Sequence, residues 1–179
     1  MENLITQPNS AFSLADFTSP ALIIPFLRGQ DAAAVIQELS VALQREGCVN
    51  DLLQFYHAAL NREYLSSTAT EPGFALPHAL VQGLAQPCFA VGRCPVPIPW
   101  VSQAKPLVQL VFVLTVPETD ARAYLALISG LARLGKDRQR LESFLKASDS
   151  FQMFDALKQV KVRCNSASAL KNIPEPCGA

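Results

Sequence analysis

No stretch of this sequence stays apolar for the roughly 18 residues that a membrane-spanning helix needs. The most apolar run, Leu107 to Val116, is short and carries Gln109, so it reads as a buried strand and direct membrane insertion is not expected. Histidine is scarce: the chain has two, His57 and His78. There are five cysteines, Cys48, Cys88, Cys94, Cys164 and Cys177, and none of them forms a C-x-x-C pair. A structural zinc site needs a full set of closely spaced ligands, so neither a metal nor another cofactor is expected. The odd cysteine count and the lack of a signal-peptide pattern point to reduced thiols in the cytoplasm. Cys88 and Cys94 flank a strand and read as small apolar fillers. An excess of one charge is lacking too, since 15 basic residues balance 15 acidic ones. The densest basic cluster, Lys136, Arg138 and Arg140, is offset by Asp137 and Glu142 and reads as a solvated helix face. Nucleic-acid binding is therefore not expected.

What is present is ample core material. Half of the 179 residues are hydrophobic. A domain of about this size buries roughly 70% of the surface its unfolded chain exposes, which argues for one folded domain. Residues 1 to 15 are polar and mixed and read as a loose N-terminal arm. The stretch from 162 to 179, with Asn165, Ser166, Pro174, Pro176 and Gly178, reads as a flexible tail. Residues 16 to 161 form the domain between them.

Within that domain, Ala21 to Leu27 is an apolar run interrupted by Pro25, which suits an edge strand or a strand end. Asp31 opens a helix that Gly47 ends, with Ala34, Val35, Leu39, Ala42 and Leu43 at helical spacing. A second helix runs from about Asn50 to Glu63, capped by Asn50 or Asp51, with Leu52, Leu53, Tyr56, Ala59 and Leu60 as its apolar face. A hydroxyl-rich turn from Ser66 to Gly73 leads into a strand that ends at Leu76, because a residue before proline is pushed to extended geometry. Cys88 to Arg93 is a further strand. Pro95, Pro97 and Pro99 then predict an irregular loop. Leu107 to Val116, rich in valine and leucine without alternation, is the central strand covered on both faces. A helix with Leu125, Ile128, Leu131, Ala132 and Leu134 on one face follows, and two shorter helices are expected at about 137–147 and 150–160. Strands interleaved with helices give an α/β layered domain.

The candidate chemistry centres on His78. Neutral imidazole is a nucleophile at physiological pH. A guanidinium such as that of Arg62 can hold phosphate oxygens in pairs, and the hydroxyls and N–H groups of a turn can complete an anion cradle. Phosphoryl transfer needs little beyond positioning and charge stabilisation. His57, in mid-helix with no such neighbours, reads as a structural residue.

The block Arg62-Glu63-Tyr64-Leu65-Ser66-Ser67-Thr68, followed without a gap by Gly73, Ala75, Pro77 and His78, resembles the enzyme IIA domain of the fructose/mannitol phosphotransferase family, which includes the nitrogen-regulatory IIA protein. Val116-Pro117-Glu118 and the helix from Tyr124 to Ala132 continue the likeness, which spans roughly residues 20 to 160. The resemblance implies a single mixed β-sheet flanked by helices on both faces, a layered sandwich. It implies that His78 accepts a phosphoryl group from an HPr-like phosphocarrier protein and passes it to a IIB domain, or holds it as a signal to a regulated target protein. Arg62, with Ser67 and Thr68, would contact the phosphate. Tyr124 stands where the family often has a second histidine, and is expected to lie near His78 and donate its hydroxyl to the imidazole or the phosphate. Alternatives of other classes are a degenerate IIA-like module that binds proteins without phosphoryl transfer, and an unrelated α/β enzyme or ligand-binding domain. The lack of attached IIB, IIC or HPr-like domains is expected to favour regulation over dedicated sugar import. A carrier histidine must be reached by a partner, so exposed apolar residues are expected around it, with Phe74, Leu80 and Trp100 as candidates.

Overall fold

The computed structural model describes residues 12–101, 106–118 and 121–162. Seven strands and five α-helices follow one another along them: β1 (Phe12–Ser13), β2 (Ile23–Ile24), α1 (Ala32–Arg45), α2 (Leu52–Leu65), β3 (Phe74–Ala75), β4 (His78–Val81), β5 (Phe89–Ile98), β6 (Val108–Pro117), α3 (Ala121–Lys136), α4 (Arg138–Lys146), α5 (Ser150–Lys158) and β7 (Lys161–Val162). Aspartates start four of the helices. The side chains of Asp31, Asp51, Asp137 and Asp149 each accept a backbone N–H three residues on, in α1, α2, α4 and α5 respectively, which satisfies donors that a helix start leaves unpaired.

The main sheet is mixed. β6 lies at its centre, antiparallel to β5 on one side and parallel to β3 and β4 on the other, and β2 runs parallel along the outer edge of β5. β3 and β4 are two pieces of one track beside β6, separated by Leu76 and Pro77. β6 alternates between two cores. Leu110, Phe112 and Leu114 face a cluster with Leu127, Leu131, Phe144 and Met153 of α3–α5. Val111 and Val113 face a second cluster with Val35, Ile36, Leu39 and Phe55 of α1 and α2. The absence of alternation in this strand is thus explained by apolar cover on both sides. Phe112 anchors the first core, with the rings of Phe74, Phe89 and Phe144 at centroid distances of 5.3, 5.8 and 6.4 Å, within the range in which aromatic pairs attract.

Several expectations are corrected. The N-terminal arm ends sooner than residue 15: β1 pairs with β7, and a short 3-10 turn from Leu14 to Phe17 buries Leu14 completely. Residues 1–11 of the arm and 163–179 of the tail lie outside the described residues, as do Cys164 and Cys177. β5 does not stop at Arg93 but continues to Ile98 through Pro95 and Pro97. It can do so because its pairing with β6 shifts register between Arg93 and Ile98, so the missing proline N–H groups fall where the ladder is already interrupted. Two helix faces are rotated from the predicted ones. α2 buries Phe55, Ala59 and Glu63 and exposes Leu53, and α3 buries Ala123, Ala126, Leu127, Gly130, Leu131 and Leu134 and exposes Leu125 and Ala132. The cluster around Lys136 is a solvated helix face as expected, with Arg138 bonded to Glu142 at 3.3 Å and Arg140 to Asp137 at 2.9 Å.

Candidate functional site around His78

The break between β3 and β4 builds the site. Pro77 has no N–H, so the ladder along β6 cannot run through it unbroken. At the break, both backbone polar groups of Leu76 turn to side chains. Its N–H donates to Thr68 Oγ1 at 2.8 Å, and its carbonyl oxygen lies 2.9 Å from His78 Nδ1. A carbonyl oxygen can only accept, so the proton of the neutral ring sits on Nδ1. The lone pair of the neutral imidazole is then on Nε2, and the ring orientation is fixed by the chain two residues before it.

Thr68 is held in turn by a residue to which the sequence reading gave no role. Glu63, the last member of the buried α2 stripe, is fully buried. Its carboxylate accepts from the Thr68 backbone N–H at 2.6 Å, Thr68 Oγ1 at 2.7 Å, Ser67 Oγ at 3.2 Å and Trp100 Nε1 at 2.6 Å. A carboxylate tolerates such burial only when several donors converge on it. Glu63, Thr68, Leu76 and His78 therefore form one continuous chain of hydrogen bonds. The sequence did carry a signal for Glu63: it follows Phe55 and Ala59 at intervals of four, so it continues an apolar stripe with an acid.

Arg62 occupies the last turn of α2 and is exposed. Its Nη1 donates to the carbonyl of Ser66 at 2.8 Å, just beyond the helix end. Tyr124, in the first turns of α3, is half-buried and meets the His78 ring with centroids 5.9 Å apart and planes tilted by 45°. Burial pushes the Tyr124 phenol up from its ordinary pKa, and the positive charge of Arg62 pulls in the opposite direction. The phenol therefore stays protonated at neutral pH and keeps a hydrogen to donate. The structure thus gathers His78, Tyr124 and Arg62: the first two touch ring to ring, and Arg62 is near enough for its charge to act on Tyr124. The hydroxyls of Ser67 and Thr68 are placed differently, each donating its single hydrogen to Glu63. His57 is exposed on α2 and meets its neighbour Tyr56 in a tilted ring contact, 5.2 Å between centroids.

The apolar surface expected around the histidine needs correction at two of three positions. Phe74 and Trp100 are core residues, 3% and 6% exposed. Phe74 packs on Phe112, and the Trp100 indole N–H is drawn inward by Glu63. Leu80, two residues after His78 on the same strand, is 67% exposed. Leu125, next to Tyr124, and Leu65, three residues after Arg62, are exposed as well.

Comparison with known proteins agrees with this geometry. The family described as "Phosphoenolpyruvate-dependent sugar phosphotransferase system, EIIA 2" matches residues 16–160. A nitrogen regulatory protein of Bradyrhizobium diazoefficiens is 27% identical over 144 residues, covering 80% of this chain and 94% of its own. The fructose-specific EIIABC component of Bacillus subtilis is 28% identical over 133 residues, 74% of this chain, and the match spans only 21% of that longer protein. Among solved structures, the nitrogen regulatory protein IIA-Ntr of Neisseria meningitidis superposes with a TM-score of 0.72 at 24% identity, over 80% of this chain and 98% of that one. The mannitol IIA of Escherichia coli, solved in complex with phosphorylated mannitol IIB, gives 0.64 at 16% identity, over 78% and 95% of the two chains. These two structural likenesses establish the mixed α/β fold, and the family match over residues 16–160 goes further: the chain belongs to the EIIA type 2 family of the phosphoenolpyruvate-dependent sugar phosphotransferase system.

Proposed function

We propose that this protein is a phosphoryl carrier that accepts phosphate on Nε2 of His78. The observation that carries the proposal is the contact between His78 Nδ1 and the Leu76 carbonyl, which leaves Nε2 with its lone pair available. In the transfer, the Nε2 lone pair attacks the phosphorus of a phosphohistidine on an HPr-like donor. A P–N bond forms at His78 as the donor's P–N bond breaks, and the donor imidazole departs with that electron pair. The reverse displacement hands the group to a IIB domain, or the phosphorylated form is read by a regulated target protein. The exchange would take place in the cytoplasm.

The geometry supports a role for each neighbour. Arg62 supplies positive charge beside the incoming phosphate. Tyr124, protonated, offers one hydrogen bond without charge. Ser67 and Thr68, whose hydrogens point to Glu63, act by positioning: Thr68 braces the Leu76 backbone that orients His78, and Ser67 helps to hold Glu63. The exposed Leu65, Leu80 and Leu125 make the apolar surface against which a partner would dock.

The test is transfer from a phosphorylated HPr-like protein, followed as acid-labile phosphate, with a known IIA domain labelled in parallel. Tyr124→Phe removes one neutral hydrogen bond and should slow labelling by about 5–10-fold. Tyr124→His restores a group able to carry charge and should match or exceed the natural protein. Equal rates for all three forms would remove Tyr124 from the site. No labelling of any form, with the control labelled, would favour a binding module without phosphoryl transfer, a reading supported by the absence of a second histidine beside His78.

A further inference from the structure

A second site with no part in the chemistry of His78 lies at the far end of α3. Twelve residues separate Tyr124 from Lys136, so the two ends stand about 18 Å apart along the helix axis. There, Arg133 and Lys136 of α3, Asp137 and Arg140 at the start of α4, and Gln159, Val160 and Lys161 after α5 line an open cavity of about 740 Å³. Four cations face one carboxylate, which leaves a net charge of +3 on the lining.

The lone acid is already committed. Asp137 Oδ1 accepts the Arg140 backbone N–H at 3.1 Å, and its Oδ2 pairs with Arg140 Nε at 2.9 Å. Arg140 Nη1 in turn donates to the Gln159 carbonyl. Arg133 is in the opposite state. Its Nε and Nη2 are shielded from solvent and have no hydrogen-bond partner among the described residues. These two nitrogens form the edge of the guanidinium that presents parallel N–H groups, the fork that grips two oxygens of one phosphate or carboxylate. A basic residue in the last turn of a helix is ordinary, since it complements the helix dipole. That accounts for Lys136. It does not account for two buried, unpartnered guanidinium nitrogens, which cost stability unless something pairs with them.

We infer that this cavity binds a small molecule carrying a multiply charged phosphoryl or carboxylate group, gripped by Arg133 and flanked by Lys136 and Lys161. The site is remote from His78, so the inference does not depend on the phosphoryl-carrier reading. Its ligand would act as an effector of the protein and not as its phosphoryl donor.

The probes are inorganic pyrophosphate and citrate, added to the full chain at constant ionic strength. Binding at about 100 times the dissociation constant should raise Tm by about 5 °C or more. It should also move the Arg133 Nε–H resonance in a proton–nitrogen spectrum. A response to pyrophosphate alone supports a phosphoryl ligand, to citrate alone a carboxylate ligand, and to both a shared oxyanion grip. Arg133→Met should abolish the response without lowering the Tm of the free protein, because it removes a group that has no partner. Lys136→Ala with Lys161→Ala should weaken binding at least 10-fold. Arg138→Gln, whose side chain is 92% exposed and bonded to Glu142, is the control and should respond as the natural protein does. No response to either anion would overturn the inference. So would a response unchanged in Arg133→Met, or shifts confined to Arg62 and His78.

Discussion

His78→Gln should leave the fold intact and bring phosphate acceptance from an HPr-like donor to zero. Glutamine places an amide near the Leu76 carbonyl and can keep a donor there, and the backbone of β4 stays paired with β6 from His78 to Val81. The side chain is only half-buried, so stability should change by no more than about 1 kcal/mol. The nucleophilic nitrogen, by contrast, is gone. Amide nitrogen has no available lone pair, and neither Arg62 nor Tyr124 can replace it at neutral pH. The measurement is acid-labile phosphate on a variant whose urea midpoint matches that of the natural protein. Residual labelling above a few per cent would show that another residue is the acceptor.

Glu63→Ala should be the most destabilising single substitution in the α2–turn–β3 region, costing about 3–5 kcal/mol. It leaves the Trp100 indole N–H and the Thr68 backbone N–H buried with no acceptor, and it frees both turn hydroxyls. Glu63→Gln keeps an acceptor at the Oε1 position, on which three of the four donors converge, and should cost about 1–2 kcal/mol. The effect should also reach the site. Thr68, no longer held by Glu63, loses its grip on the Leu76 N–H, and the carbonyl that orients His78 becomes mobile. Phosphorylation of Glu63→Gln should therefore slow even where the protein is fully folded. Chemical denaturation gives the stability, and labelling at a temperature well below Tm gives the rate. A loss below about 1 kcal/mol in Glu63→Ala would mean that the carboxylate is not the keystone of the turn. A Glu63/Trp100 double-mutant cycle should show coupling, because the two share one hydrogen bond of 2.6 Å.

Much of the fold was legible because local signals and burial agreed. Asp31 and Asp51 announced their helices by capping chemistry, Gly47 ended α1 with a positive φ of 73°, and the Val/Leu-rich run from Leu107, which lacks alternation, foretold a strand covered on both faces. What failed shares a cause: a long-range contact decided it. Leu14 looked like part of a polar arm, but it is buried by the packing of its 3-10 turn on α5 and by the pairing of β1 with β7 at the opposite end of the chain. The prolines after Cys94 looked like a loop because the register shift opposite them is a property of β6 as much as of β5. The faces of α2 and α3 were misread for a simpler reason. Periodicity assigns leucine to the interior, yet Leu53 of α2 and Leu125 of α3 are exposed, the latter beside Tyr124. At the site itself, His78, Arg62 and Tyr124 came from the motif. The bond between Glu63 and Trp100 did not, since it joins residues 37 apart in sequence: the acid was given no role, and the indole was expected as a docking aromatic.

The central claim concerns one nitrogen atom, and nitrogen-15 NMR of the phosphorylated protein tests it directly. With His78 labelled in its ring and the protein charged by a phosphorylated HPr-like donor, the Nε2 resonance should take on phosphorus coupling, while Nδ1 keeps the proton that it shares with the Leu76 carbonyl. Phosphorus coupling at Nδ1, or a phosphorylated protein whose His78 ring is unmodified, would contradict the account.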